Sequence, residues 1–134
     1  MKRGLLFILS VFLICSLFAF GESFPDKAKN VNGFVPTGWK TILSAKGDLN
    51  NDKLEDVVIV IEKTDKANIV KNENLGSEYL NLNPRILLVL FKQKNGSYIL
   101  VSKNDKGFIK SAGDKENPAL MDTLDNISIK NNIL

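Results

Sequence analysis

Five oxygen-bearing positions cluster at Asp48, Asn50, Asp52, Leu54 and Asp56, inside the run Gly47-Asp48-Leu49-Asn50-Asn51-Asp52-Lys53-Leu54-Glu55-Asp56. Alternate placing of short carboxylate and amide side chains aims their oxygens into one tight loop. That arrangement suits a hard cation such as Ca²⁺, with Leu54 offering its backbone carbonyl and Asp56 closing the set. The same pattern also serves an Asx-rich turn that holds its shape with no ion. Both readings stand at this stage, with Ca²⁺ as the expected cofactor if the first is correct.

Other chemistry is narrowed by what the chain lacks. It has no histidine, and its single cysteine, Cys15, lies in the N-terminal apolar run. Serine–histidine and cysteine–histidine catalysis and histidine-ligated zinc therefore have no residues to work with. A hydrolase using two facing carboxylates is the remaining enzymatic alternative, although the densest acidic cluster is committed to a turn. The expectation is a protein that is not an enzyme and has no catalytic residues. Asp105, Asp114, Asp122 and Asp125 lie in loop-like stretches and are expected to cap turns. Trp39 offers a sugar-stacking surface or a core anchor, and Arg85 an anion contact or a simple ion pair.

The elements that must position these residues are strands. Trp39-Lys40-Thr41-Ile42-Leu43-Ser44 leads into the acidic loop, and Val57-Val58-Ile59-Val60-Ile61 follows it. Apolar residues on consecutive positions indicate a strand buried on both faces. Arg85 to Lys92 repeats that pattern, and Lys94-Asn95-Gly96 turns it back through Ser97 to Ser102 as a hairpin. Residues 63–84 are polar and asparagine-rich, with a short helix expected from Asp65 to about Asn74. A helical turn is also expected after Ser23, with Pro25 in its first turn. Ile127 and Ile129 alternate with Ser128 and Lys130 as a half-buried terminal strand would. The fold class is mainly β with minor α: a small antiparallel sheet with irregular loops.

The N-terminus indicates the compartment. Lys2 and Arg3 precede a run from Gly4 to Phe20 without charge, ending in Ala19-Phe20-Gly21. This is the layout of a secretory signal peptide over 1–21. A retained anchor is the alternative, since about 17 apolar residues reach the lower limit for spanning a bilayer. Cleavage would remove Lys2, Arg3 and Cys15 and lower the formal net charge from +3 to about +1. A nearly neutral chain has no field to draw in nucleic acid or an anionic membrane. The expected organisation is thus a signal peptide at 1–21, an irregular lead-in at 22–38, and a single β-rich domain at 39–134. The protein is expected to be exported, periplasmic or extracellular, without stable membrane insertion after cleavage.

The acidic loop and the apolar strand behind it resemble the Asp-x-Asn-x-Asp-Gly-x-x-Asp loop of integrin-type FG-GAP repeats, and also dockerin-like calcium loops. Lys53 stands where those loops have glycine. The likeness occurs once, over about 14 residues, and a propeller of several four-stranded blades does not fit in this length. On a wider scale, Pro36-Thr37-Gly38-Trp39-Lys40, the acidic loop, Leu75 to Arg85 and Asn104-Asp105-Lys106-Gly107-Phe108-Ile109 together resemble a family of uncharacterised exported bacterial proteins. That resemblance implies an architecture and an address without a mechanism. It also implies further strands beyond Leu134, and so a chain truncated relative to the family. The expected function is a non-catalytic envelope or secreted domain, Ca²⁺-stabilised, binding an unidentified protein or glycan. The alternative is a family remnant without activity of its own.

Overall fold

The computed structural model describes residues 22–134, so the expected signal peptide at 1–21 lies outside the described residues. Among the described residues seven strands form: β1 (Lys27–Ala28), β2 (Trp39–Gly47), β3 (Asp56–Lys63), β4 (Ile69–Lys71), β5 (Tyr79–Asn81), β6 (Arg85–Lys92) and β7 (Tyr98–Asn104). Five of them make one sheet in the order β1-β7-β6-β3-β2, and β4 pairs separately with β5. All pairings are antiparallel. The mainly β class read from the sequence is the observed one. Among the described residues no helix is long and apolar enough to cross a membrane.

The two wholly apolar strands lie side by side at the centre. Val57 pairs with Leu90 and Ile61 with Ile86, and every residue from Asp56 to Glu62 is buried. Successive side chains point to opposite faces of a strand, so continuous burial demands a cover on each side. On one face Val57, Ile59, Ile61, Ile86, Leu88 and Leu90 pack with Trp39 and Phe34. Phe24, Ala28, Val31 and Val35 of the lead-in close over them. Trp39 is thus a core residue rather than an open platform. On the other face Val58, Val60 and Leu87 are covered by Ile109, Leu124, Ile127 and Ile129. Irregular chain from both sides of the sheet in sequence therefore supplies the outer layers of a three-layer core.

Three local expectations are corrected. No helix spans Asp65–Asn74: a short 3-10 turn at Lys66–Asn68 leads straight into β4. The Asp65 side chain accepts from the Ala67 N–H at 2.9 Å, and Asn83 Oδ1 accepts from the Asp65 N–H at 3.0 Å. β5 then supplies a ladder, so the segment's backbone groups find partners without a helix. The lead-in likewise begins with β1, whose Lys27 and Ala28 pair with Ile99 and Tyr98, where a helical turn was expected. Its 3-10 turn comes later, at Val31–Phe34, with Asn30 accepting from Gly33 N–H at 3.0 Å.

The third correction concerns the end of the chain. Residues 127–129 join no sheet, although Ile127 and Ile129 do reach the core by side-chain packing. Asn131 and Asn132 take φ of 51° and 63°, closing a tight reversal in which Lys130 and Ile133 exchange both backbone hydrogen bonds. Consecutive left-handed residues are the mark of a type I′ turn, and asparagine is the side chain that tolerates it best after glycine.

Candidate functional site

The acidic loop joins β2 to β3, and its side chains bond chiefly to the loop's own backbone. Asp48 accepts from the Asp52 N–H at 3.2 Å and the Lys53 N–H at 2.9 Å. Asn50 Oδ1 also accepts from Asp52 N–H, at 3.1 Å, while Asp52 accepts from Leu54 N–H at 2.8 Å and from Asn50 Nδ2 at 2.9 Å. These are Asx turns nested in one another, which is how a short polar loop satisfies its backbone. Asn51 and Lys53 are left-handed, with φ of 64° and 67°. Lys53 thus adopts a backbone shape that favours glycine, at a cost of about 1–2 kcal/mol for a residue carrying a β-carbon.

Asp56 behaves differently from the other three polar side chains. It is fully buried, and it ties two elements together: Oδ2 accepts from Leu49 N–H at 2.9 Å and Oδ1 from Lys92 N–H at 3.0 Å. One carboxylate therefore closes the loop and fixes the end of β6 beside it. Asp48, Asn50 and Asp52 gather in the exposed part of the loop, and Asp56 stands beneath them at the sheet. Among the described residues no three histidine, cysteine, aspartate or glutamate side chains come together as a metal site.

A second polar centre lies at the opposite end of β3. Glu62 and Arg85 are directly paired across β3 and β6, on the face that carries Val58, Val60 and Leu87. Their side chains are 4% and 5% exposed, and Arg85 Nε donates to Glu62 Oε2 at 2.9 Å. Glu62 Oε1 takes a hydrogen bond from Asn81 Nδ2 at 3.1 Å and lies 3.3 Å from Lys40 Nζ. Arg85 Nη1 donates to the Lys110 carbonyl at 3.2 Å, so with the Nε bond two of the five donors of its planar fork are used.

Two more donors of the fork are taken from far along the chain. Asp122 receives Arg85 Nη1 at 2.9 Å and Nη2 at 2.5 Å, a bidentate pair. This pairing holds the Asp122 carboxyl below its ordinary range, with burial opposing and the Leu124 N–H assisting. Arg85 is held above its ordinary value, first by the same hydrogen bond to Asp122 and then, against desolvation, by Glu62. Asp114, by contrast, is a turn cap as expected: Glu116 and Asn117 N–H groups donate to it, and they pull its carboxyl down.

A cleft of about 400 Å³ opens over this pair, between residues 108–114 and 120–124, with Arg85 and Asp122 in its lining. Phe108, Leu120 and Met121 also line it and stand 71%, 63% and 86% exposed. A fixed guanidinium–carboxylate pair ringed by uncovered apolar side chains is a surface with both anchoring charge and unburied hydrophobic area.

The sequence pointed to Arg85 as an anion contact or paired arginine, and it is paired. Asp122 was expected only to cap a turn; it does accept from Leu124 N–H, at 3.2 Å, but its main partner is Arg85. Glu62 was not singled out. Its available signal was one acidic residue closing an apolar run, matched by one basic residue opening the next. No protein-family model matches the sequence, and neither a curated protein nor a solved structure matches it.

Proposed function

We propose that this chain is an exported, non-catalytic domain of the periplasm or cell exterior that recognises a protein or glycan through its loops. The observation that carries this reading is the cleft over Arg85 and Asp122, rimmed by exposed Phe108, Leu120 and Met121. Export rests on the basic start and apolar run of residues 2–20, ahead of the small residue Gly21. Nucleic acid is not the proposed ligand, because the charge left after loss of 1–21 is nearly balanced. Nor is stable membrane insertion part of the reading once that segment is removed.

Ca²⁺ enters this proposal as a structural staple on the 48–56 loop, in keeping with its FG-GAP-like spacing. Asp48, Asn50, Asp52, the Leu54 carbonyl and Asp56 would hold it. The ion would have to share oxygens that already accept hydrogen bonds within the protein. A thermal melt of the protein with and without millimolar Ca²⁺, with Asp48→Ala as control, decides that part. A Ca²⁺-dependent rise confined to the wild type supports the staple, and equal melting in both buffers removes it.

Recognition itself is tested by selecting a displayed peptide library and a glycan array on the wild-type protein. Each hit is then screened against a Phe108→Ser/Met121→Ser variant. Hits that bind the wild type and lose the variant support the reading. If every hit binds both equally, the cleft is not the recognition surface.

A further inference from the structure

We propose that the cleft over Arg85 is a binding site for an acidic peptide segment with apolar neighbours, and that Asp122 occupies it in cis as a built-in competitor. The proposal rests on the binding reading above and names the ligand chemistry of that same cleft. Arg85 is almost completely buried, and the face of its fork that meets Asp122 is built for a carboxylate. Without Asp122, Glu62 would be the single carboxylate between two cations, Arg85 and Lys40. Arg85 would keep Glu62 on Nε, but the Nη1 and Nη2 hydrogens that meet Asp122 would lose their acceptor, and a carboxylate is the group that fits that planar edge. The site therefore calls for a carboxylate whichever chain brings it.

The segment that supplies Asp122 is loosely attached. From 114 to 129 the only backbone–backbone hydrogen bond among the described residues is local, from Leu120 N–H to the Asn117 carbonyl. The segment is held instead by the Asp122–Arg85 pair, by Leu124, Ile127 and Ile129 on the sheet, and by Pro118 and Ala119 against Gly76. Leu120 and Met121, immediately before Asp122, gain little burial from the closed arrangement. A strand or helix would carry its own ladder of hydrogen bonds; residues 120–123 can leave the cleft by breaking the Asp122–Arg85 pair, while Leu124, Ile127 and Ile129 keep their cover on Val58 and Val60.

The cis occupant also indicates which macromolecule fits. Leu120-Met121-Asp122-Thr123-Leu124 is a peptide presenting one carboxylate between aliphatic residues. The cleft's apolar rim matches aliphatic side chains, and of its three exposed large apolar residues only Phe108 offers the aromatic face that a sugar ring would stack on. A peptide is therefore the favoured occupant, with an acidic glycan as the competing outcome.

The test uses the full chain and a fluorescent nonapeptide with the sequence of residues 118–126, read by anisotropy at neutral pH. Asp122→Ala and the near-isosteric Asp122→Asn are compared with wild type, after circular dichroism has shown that each is folded. If the wild-type cleft is at least nine-tenths closed, its apparent Kd is raised about tenfold or more over that of the open variants. The expected result is tighter binding to both variants by that factor, lost when the peptide's central aspartate is replaced by asparagine. Equal affinity for wild type and variants overturns the proposal, as does equal binding of the asparagine peptide. Displacement of the peptide by an oligogalacturonate at lower concentration than by unlabelled peptide overturns the choice of a peptide partner. Failure here leaves hits that depend on Phe108 and Met121 standing; loss of those hits with peptide binding retained sinks only the broader surface.

Discussion

Glu62 and Arg85 face one another across neighbouring strands, joined through Arg85 Nε and Glu62 Oε2 at 2.9 Å, with almost no exposure on either side. A buried pair of this kind contributes little net stability against apolar residues of the same size, but removing one member strands the other. Arg85→Met should therefore cost about 3–5 kcal/mol in urea denaturation, leaving Glu62 with only the exposed Lys40 and Asn81. Arg85→Met combined with Glu62→Leu should cost clearly less than the sum of the single changes. Additive losses would show that the two residues act independently.

Asp122 makes stability depend on acid. Its folded-state pKa is depressed by Arg85, so the stabilisation is complete above the unfolded value, near 3.9. It is lost as the pH falls through the lower folded value. The Asp122 side chain is 36% exposed, and solvent screening limits the effect to about 1 kcal/mol. Wild type should melt about 4 °C above Asp122→Asn at neutral pH, with the gap closing towards pH 2. A gap that persists unchanged at pH 2 would rule out the ion pair as its origin.

Asp56 clamps the backbone of Leu49 and Lys92 with separate oxygens. In Asp56→Asn one acceptor becomes a donor facing another donor, so a cost of about 1–3 kcal/mol is expected. Asp56→Ala leaves both N–H groups without their partner and should cost at least as much. The denaturation midpoint should fall with an unchanged slope, because the fold survives and only its stability drops. A midpoint within error of wild type for both variants would show that solvent replaces the clamp.

Gly47 lies under Ile129. A β-carbon added to Gly47 would sit 2.6 Å from Ile129 Cγ2 and 2.9 Å from its Cβ. Gly47→Ala must push the 127–129 segment off the sheet and should cost about 1–3 kcal/mol. Adding Ile129→Ala to it should recover part of that loss, a coupling that a double-mutant cycle measures. No coupling would mean that the segment moves aside freely.

The strands were legible from local pattern. Val57–Ile61 and Ile86–Phe91 are apolar at consecutive positions, and Asn95-Gly96 marks the reversal between β6 and β7. Central strands buried on both faces write themselves into sequence in this way, since every position must be apolar. The covering segments were harder to read. Residues 22–38 and 109–129 contribute isolated anchors such as Phe34, Leu124 and Ile129, with too little periodicity to announce an element. The expected helix at 65–74 failed because side chains of Asp65, Asn72 and Asn83 satisfy the backbone there. Two of these are local Asx turns, and with the distant Asn83 and the β5 ladder they overrule a weak propensity.

The polar centre shows the same division. The acidic loop is contiguous, so its residue types and spacing stand together in the sequence, down to the left-handed position that Lys53 occupies. Arg85 was conspicuous as the single arginine outside residues 1–21. Its partners were not, because Glu62 lies 23 residues before it and Asp122 lies 37 residues after it. By itself the sequence determined the two buried strands, the β6–β7 hairpin and the turn chemistry of the loop, all products of short-range pattern. Strand register alone decided that Glu62 meets Arg85, and the packing of an irregular segment over one sheet face decided that Asp122 reaches Arg85. The physical reason is that a buried charge selects its counter-ion by proximity in space, and chain separation leaves no trace of that choice.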